Sequence, residues 1–186
     1  MTRPFRNFMG FDDGPFGHDW RGDVALVAIT CVGDRLDGVA TSSIRRDGRN
    51  STQKIADLCA AAGTNPRVLL LQGIAVGGFN VVDIHELHKR VKRPVLVVAR
   101  KEPNLKRIKR VLLHNVPGGR RKWSLIERAG PMEPAGGVFV QRAGLSLREA
   151  RQILAASTFH GSLPEPLRLA HLIAGAYVTG RSRGGA

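Results

Sequence analysis

The stretch GDVALVAITCVGDRLDGVATSSIR, residues 22–45, holds two β-prone runs divided by a Gly-Asp turn. The first run, Asp23 to Val32, is almost continuously apolar, as a strand buried on both faces must be. The second starts directly after Gly33-Asp34, so the two runs pair as an antiparallel hairpin. Just upstream, FMGFDDGPF (8–16) supplies another short apolar run, which stops at two adjacent aspartates. Three consecutive strands therefore open the chain.

Beyond residue 45 the hydrophobic period changes. NSTQKIADLCAAAG (50–63) has a helical period, with Ile55, Leu58, Cys59 and Ala62 on one face, Asn50 or Ser51 as N-cap and Gly63 as the stop. RVLLLQG (67–73) is a short buried strand, and NVVDIHELHKRV (80–91) a second helix capped by Asn80. PVLVVAR (94–100) is a further strand, and PNLKRIKRVLLHN (103–115) a helix that buries Leu105, Ile108 and Leu112. A helix at 120–130, a strand at 137–144, a helix at 146–158 and a last helix within 164–178 complete the pattern. The order β-β-β-α-β-α-β-α predicts an α/β fold: a mixed sheet of three antiparallel strands followed by βα units, with helices on both faces. That is the order of a ribonuclease-H-like domain. A single domain over 1–186 is expected, with its core at 8–176 and a flexible tail at 180–186.

The formal net charge is +14, with a sequence pI of about 11.3, a balance that attracts polyanions and points to nucleic acid as partner. No apolar run approaches the roughly 18 residues of a membrane span. The start of the chain lacks the apolar stretch of a signal peptide, so a cytoplasmic protein with no membrane partner is expected. Cys31 and Cys59 have no metal-like spacing and suit core positions.

Several groups are placed for chemistry, each with a plainer reading beside it. Asp12 and Asp13 end the first strand and point to opposite sides of it, because side chains alternate. A strand-end carboxylate is a rigid post for a hard cation such as Mg²⁺, but Asp-Gly-Pro is also simply a turn. RRDGRNST (45–52) places Asp47 beside Arg45, Arg46 and Arg49, either as a second acid with a basic rim or as an Asp-Gly turn. LLLQGIAVGGFNVVDI (69–84) ends a strand at Gln72 and continues into a glycine-containing loop that is not a phosphate-binding loop. Arg100 and Lys101 follow the next strand, where they can offset anionic charge or merely solvate the surface. His85 and His88 are three apart and lack an evident third zinc ligand. His171 borders the apolar stripe of the last helix, a common position for a core histidine.

GFDDGPF, RDGRNST, LLLQGIAVGGFNVVDI, PVLVVARKEP and LPEPLRLAHLIA occur in this order from residue 10 to 175. Together they resemble the endonuclease dU family, which is similar to endonuclease V within the ribonuclease-H-like superfamily. The resemblance implies a metal-dependent endonuclease acting on DNA with deaminated bases, deoxyuridine among them, in DNA repair. It implies Mg²⁺, or Mn²⁺, held by Asp12, Asp13, Asp47, Gln72 and His171. It implies catalytic roles for Asp12, Asp47, Lys101 and His171; the basic residues Arg45, Arg46, Arg49, Arg100 and Lys101 are the expected nucleic-acid contacts. Gln72 is a neutral amide where the endonuclease V pattern has an acid, the nearest matches to the acid that opens the first long helix are Asp47 and the amide Asn50, and no Pro-Tyr wedge is found. A catalytically weakened nucleic-acid-binding domain of the same fold is the alternative.

Overall fold

A computed structural model describes residues 5–63 and 65–183. β1 (Asn7–Asp13), β2 (Asp23–Val32) and β3 (Arg35–Arg45) form the antiparallel opening expected from the hairpin. α1 (Ser51–Ala61) leads into β4 (Val68–Gln72), which pairs in parallel with β1, Phe11 opposite Leu71. A two-stranded ribbon of β5 (Ala75–Val76) and β6 (Asn80–Val81) precedes α2 (Ile84–Val91). β7 (Val95–Ala99) pairs in parallel with β4. A helical hairpin of α3 (Leu105–Asn115) and α4 (Gly119–Arg128) follows, then an antiparallel pair of β8 (Glu133–Ala135) and β9 (Val138–Ala143). α5 (Leu147–Ser157) and α6 (Glu165–Thr179) end the described chain. The seven-stranded sheet runs β3-β2-β1-β4-β7-β9-β8, the mixed sheet that the sequence predicts. Residues 184–186 of the expected tail lie outside the described residues.

The sheet has a core on each face, because its central strands alternate. Met9, Phe11, Leu69, Leu71 and Val97 pack with Ile55 of α1 and Ile84 and Leu87 of α2. Phe8, Leu70, Leu96 and Val98 pack with Ile153 of α5 and Leu167 of α6. Gly10 lets α6 lie directly on β1: a Cβ there would sit 2.6 Å from the backbone of Pro166. The strands β1, β4 and β7 are parallel, so Asp13, Gln72 and Ala99 end at one edge of the sheet.

Two local expectations are corrected, and a third, Asn50 as N-cap of α1, holds in position with its side chain engaged elsewhere. The helix predicted from Asn80 starts at Ile84, and its N-cap is Asp83, whose side chain accepts from the Glu86 N–H at 3.0 Å. Asn80 is instead fully buried and binds across to the start of α1, which holds its backbone in β6. Asn50 stands at the head of α1, but its amide oxygen accepts from Arg45 N–H and Asn80 Nδ2, not from the helix. β8 is a strand beyond those the periodicity predicts. It is three residues long and contains Pro134, which suits an edge strand.

Candidate functional site

Asp12 and His171 meet where α6 crosses the end of β1. The His171 Nδ1 lies 2.9 Å from Asp12 Oδ2. The Asp12 side chain is only 9% exposed, whereas that of His171 is 43% exposed, so the pair has one dry end and one wet end. Burial raises the Asp12 carboxyl above its ordinary pKa, against the opposing pull of the His171 hydrogen bond and charge. The contact follows from the packing of α6: Ala170 and Ala174 lie fully buried on β2, and His171 stands between them.

Gln72 shares that face. It lies one residue beyond the Phe11–Leu71 pairing and opposite Val98, whose side chain belongs to the α5–α6 core. Its Oε1 is buried and has no hydrogen-bond partner. A buried carbonyl oxygen left this way costs roughly 1–3 kcal/mol, so it is a group in need of a donor or a cation.

Asp13 turns to the opposite face. Burial first, and then the neighbouring Asp12 charge, push its carboxyl up to about 6, while a bond from the Gly77 backbone works the other way. Asp47 lies on this second face as well. Its Oδ1 accepts from Phe79 N–H at 2.7 Å and its own N–H donates to Gly77 O at 2.9 Å. The buried Lys122 donates to the Asp47 carbonyl, and Arg46 Nε stands 3.4 Å from Asp47 Oδ2. Asp47 has φ of 51°, and a Cβ at Gly78 would meet its Oδ1 at 2.6 Å, so the loop is shaped around this side chain.

The fold thus brings together Asp12, Gln72 and His171, and ties Asp13 and Asp47 to the loop between β5 and β6. Among the described residues, no group of three or more His, Cys, Asp or Glu is gathered to hold a metal ion. Arg46 donates to the carbonyls of His18 and Trp20 and lies 5.2 Å over the Phe16 ring, so it pins the loop after β1. Arg45 pairs weakly with Asp23 at 3.7 Å, and Arg49 packs its guanidinium over Gly118. Arg100 and Lys101 are exposed just past β7, on the edge that carries Gln72. His85 and His88 each bond a carbonyl through one ring nitrogen, of Arg128 at 2.9 Å and Arg93 at 2.8 Å, and among the described residues no third ligand gathers with them.

The roles of Lys122 and Asn80 are not among those the sequence suggests. Lys122 was detectable, because Gly119, Lys122 and Ile126 form the buried stripe of α4 at helical spacing. Nothing local distinguishes Asn80 from a helix cap.

The order and pairing of these strands are those of a ribonuclease-H-like fold. Solved structures agree: endonuclease V of Ciona intestinalis, in complex with a 24mer DNA containing an inosine, is similar with a TM-score of 0.58 and 16% identity, over 91% of this chain and 84% of that one. The family model described as Endonuclease dU matches residues 4–178, and the chain belongs to that family. A UPF0215 protein of Deinococcus radiodurans is 52% identical over 95% of this chain and 91% of its own. A UPF0215 protein of Methanothermobacter thermautotrophicus is 42% identical over 96% and 90%. An Archaeoglobus fulgidus protein of unknown function is similar with a TM-score of 0.86 and 29% identity, over 93% and 98% of the two chains. Among the described residues, no helix is long and apolar enough to cross a membrane.

Proposed function

We propose that this protein is a divalent-metal-dependent endonuclease that cuts DNA at deaminated bases, deoxyuridine first among them, in DNA repair. The observation that carries the reading is the Asp12–His171 pair beside the unpartnered Gln72 oxygen. Membership of the Endonuclease dU family and likeness to an endonuclease V that was solved with inosine-containing DNA support it. The donors fit an ion of the Mg²⁺ or Mn²⁺ kind: one ionisable carboxylate and one amide oxygen on neighbouring strands. Mg²⁺ commonly takes only one or two protein carboxylates and shares its remaining sites with water and phosphate. Asp12 and Gln72 are the residues that would hold it. Such an ion, when bound, activates water and offsets charge on the phosphate.

The chain's own groups do the rest. Asp12 accepts the Nδ1–H of His171 and fixes the ring, which leaves the Nε2 lone pair on the solvent side to orient water and take its proton. Lys101, on the same edge, offsets the negative charge of the leaving group. The test uses labelled oligonucleotides carrying deoxyuridine or deoxyinosine, with Mg²⁺, with Mn²⁺ and with EDTA. Metal-dependent cleavage is expected; folded protein that cuts neither substrate overturns the reading.

The amide at Gln72 favours a second reading, a nucleic-acid-binding domain that has lost strong metal affinity. It requires salt-sensitive DNA binding that Asp12→Ala leaves unchanged, with no cleavage in any metal.

A further inference from the structure

We infer that the α3–α4 hairpin is a phosphate-binding arm that holds the nucleic-acid backbone, separately from the Asp12–His171 pair. This rests on the reading of the chain as a nucleic-acid-acting protein. Residues 105–128 carry eight Lys and Arg against one Glu, a net +7 and half of the chain's +14. Three of these cations are already used. Lys122 is buried against the Asp47 carbonyl, Arg128 pairs with Asp83, and Lys109 lies 5.1 Å over Trp123 and 4.0 Å from Glu127. The side chains of Lys106, Arg107, Arg110, Arg120 and Arg121 are exposed, and no ion pair or hydrogen bond of theirs is found among the described residues.

Their positions oppose what helix stability favours. Neither α3 nor α4 has an acid in its first turn, yet Lys106 and Arg107 open one helix and Arg120 and Arg121 the other. Cations at the positive end of a helix dipole are unfavourable, and Lys106 and Arg110 add a like-charged i,i+4 pair. An external polyanion offsets all of these terms. α3 has 11 residues, a length of about 16 Å at the helical rise, which spans about five phosphates along one strand. The hairpin adjoins the active edge: α3 follows β7 after Arg100 and Lys101, and α4 is anchored at Asp47.

Binding of a labelled DNA duplex in EDTA, followed by fluorescence anisotropy from 50 to about 200 mM salt, tests the arm without cleavage. Two variants are compared with wild type, K106Q/R107Q/R110Q and R120Q/R121Q. R148Q/R151Q on α5 serves as the control, since both arginines are exposed on the other side of the sheet. Glutamine keeps helix propensity, and thermal melts verify folding. The slope of log K against log salt is expected to flatten by about 2.7 for the triple variant and about 1.8 for the double, with the control unchanged. Hairpin variants that keep the wild-type slope, a control that loses as much, or binding to anionic vesicles in place of DNA each overturn the inference. A flattened slope in a protein that never cuts DNA retains the arm and removes the nuclease reading.

Discussion

Asp12 and Asp13 are neighbours in one strand, yet they belong to two different kinds of place. On the α6 face, Asp12 has one side-chain partner among the described residues, His171, whose ring is partly open to solvent, and beside it the Gln72 oxygen has no partner. On the opposite face, Asp13, Asp47 and Asn80 sit in a closed web of backbone bonds. Asn80 alone accepts from Ser51 N–H at 3.1 Å and donates to Arg45 O at 2.9 Å and to Asn50 Oδ1 at 2.8 Å. A polar cluster whose groups are bonded to one another fixes geometry; one with an unsatisfied acceptor oxygen is free to take a ligand. On the proposed reading, the difference separates a place for chemistry from its scaffold, although both are built from carboxylates and amides.

The largest expected effect breaks the open face. Asp12→Ala and His171→Ala should each lower cleavage by about 10²–10⁴-fold, the usual worth of a positioned acid–base group. The double variant should lose little more than either single one, because the two act as a pair. Single-turnover cleavage of a deoxyuridine oligonucleotide reads this. Additive losses would show that they act separately. On the closed face the loss should be stability. Asn80→Ala strands the Ser51 N–H and takes one of two donors from the Arg45 carbonyl and from the Asn50 amide oxygen, which keep Gly48 N–H and Arg45 N–H, and a cost of about 1–3 kcal/mol in urea unfolding is expected. Cleavage per folded molecule should stay close to wild type; a fall as large as that of Asp12→Ala would erase the distinction between the faces.

This division explains how far the sequence is legible. Periodicity and turn residues locate the hairpin at 22–45 and the parallel strands, since those signals depend on local chain geometry. Alternation along β1 is enough to send Asp12 and Asp13 to opposite faces. What periodicity cannot show is which distant residue meets each of them. The partner of Asp12 lies 159 residues away and depends on α6 seating against Gly10. The RRDGRNST stretch has the composition of a second metal acid, but Asp47 is held by Phe79 and Lys122, partners 32 and 75 residues away. The resemblance of LPEPLRLAHLIA to the endonuclease dU family singles out His171, where burial pattern alone favours a core histidine.

The next effect is one of pH and tests whether Asp13 is scaffold. Its folded pKa, about 6, stands above the ordinary value of 3.8. A raised carboxyl pKa favours the folded state while the group is protonated. This contribution is complete below about pH 4 and is lost as pH rises through 6. Asp13→Asn should therefore flatten the stability profile between pH 4 and 6 and leave the variant more stable at pH 7 by about 1–3 kcal/mol. Chemical denaturation at a series of pH values measures it, and an unchanged slope across that window removes Asp13 from the buried web.

The smallest effect sharpens the open face without dismantling it. Gln72 offers an oxygen without charge, next to a carboxylate that burial already makes reluctant to ionise. A second carboxylate at this position adds the charge a hard cation prefers, so Gln72→Glu should tighten divalent binding. Without metal, two buried acids on neighbouring strands repel, and the variant should be less stable than wild type. Added Mn²⁺ should reverse the order, because an ion that binds only the folded state stabilises it by mass action, about 2.7 kcal/mol at a hundredfold excess over Kd. Melting curves across a Mn²⁺ titration read both halves of this crossing. If Mn²⁺ shifts the melting of Gln72→Glu no more than that of wild type, the Asp12 face is not where the ion sits, and its open oxygen serves water instead.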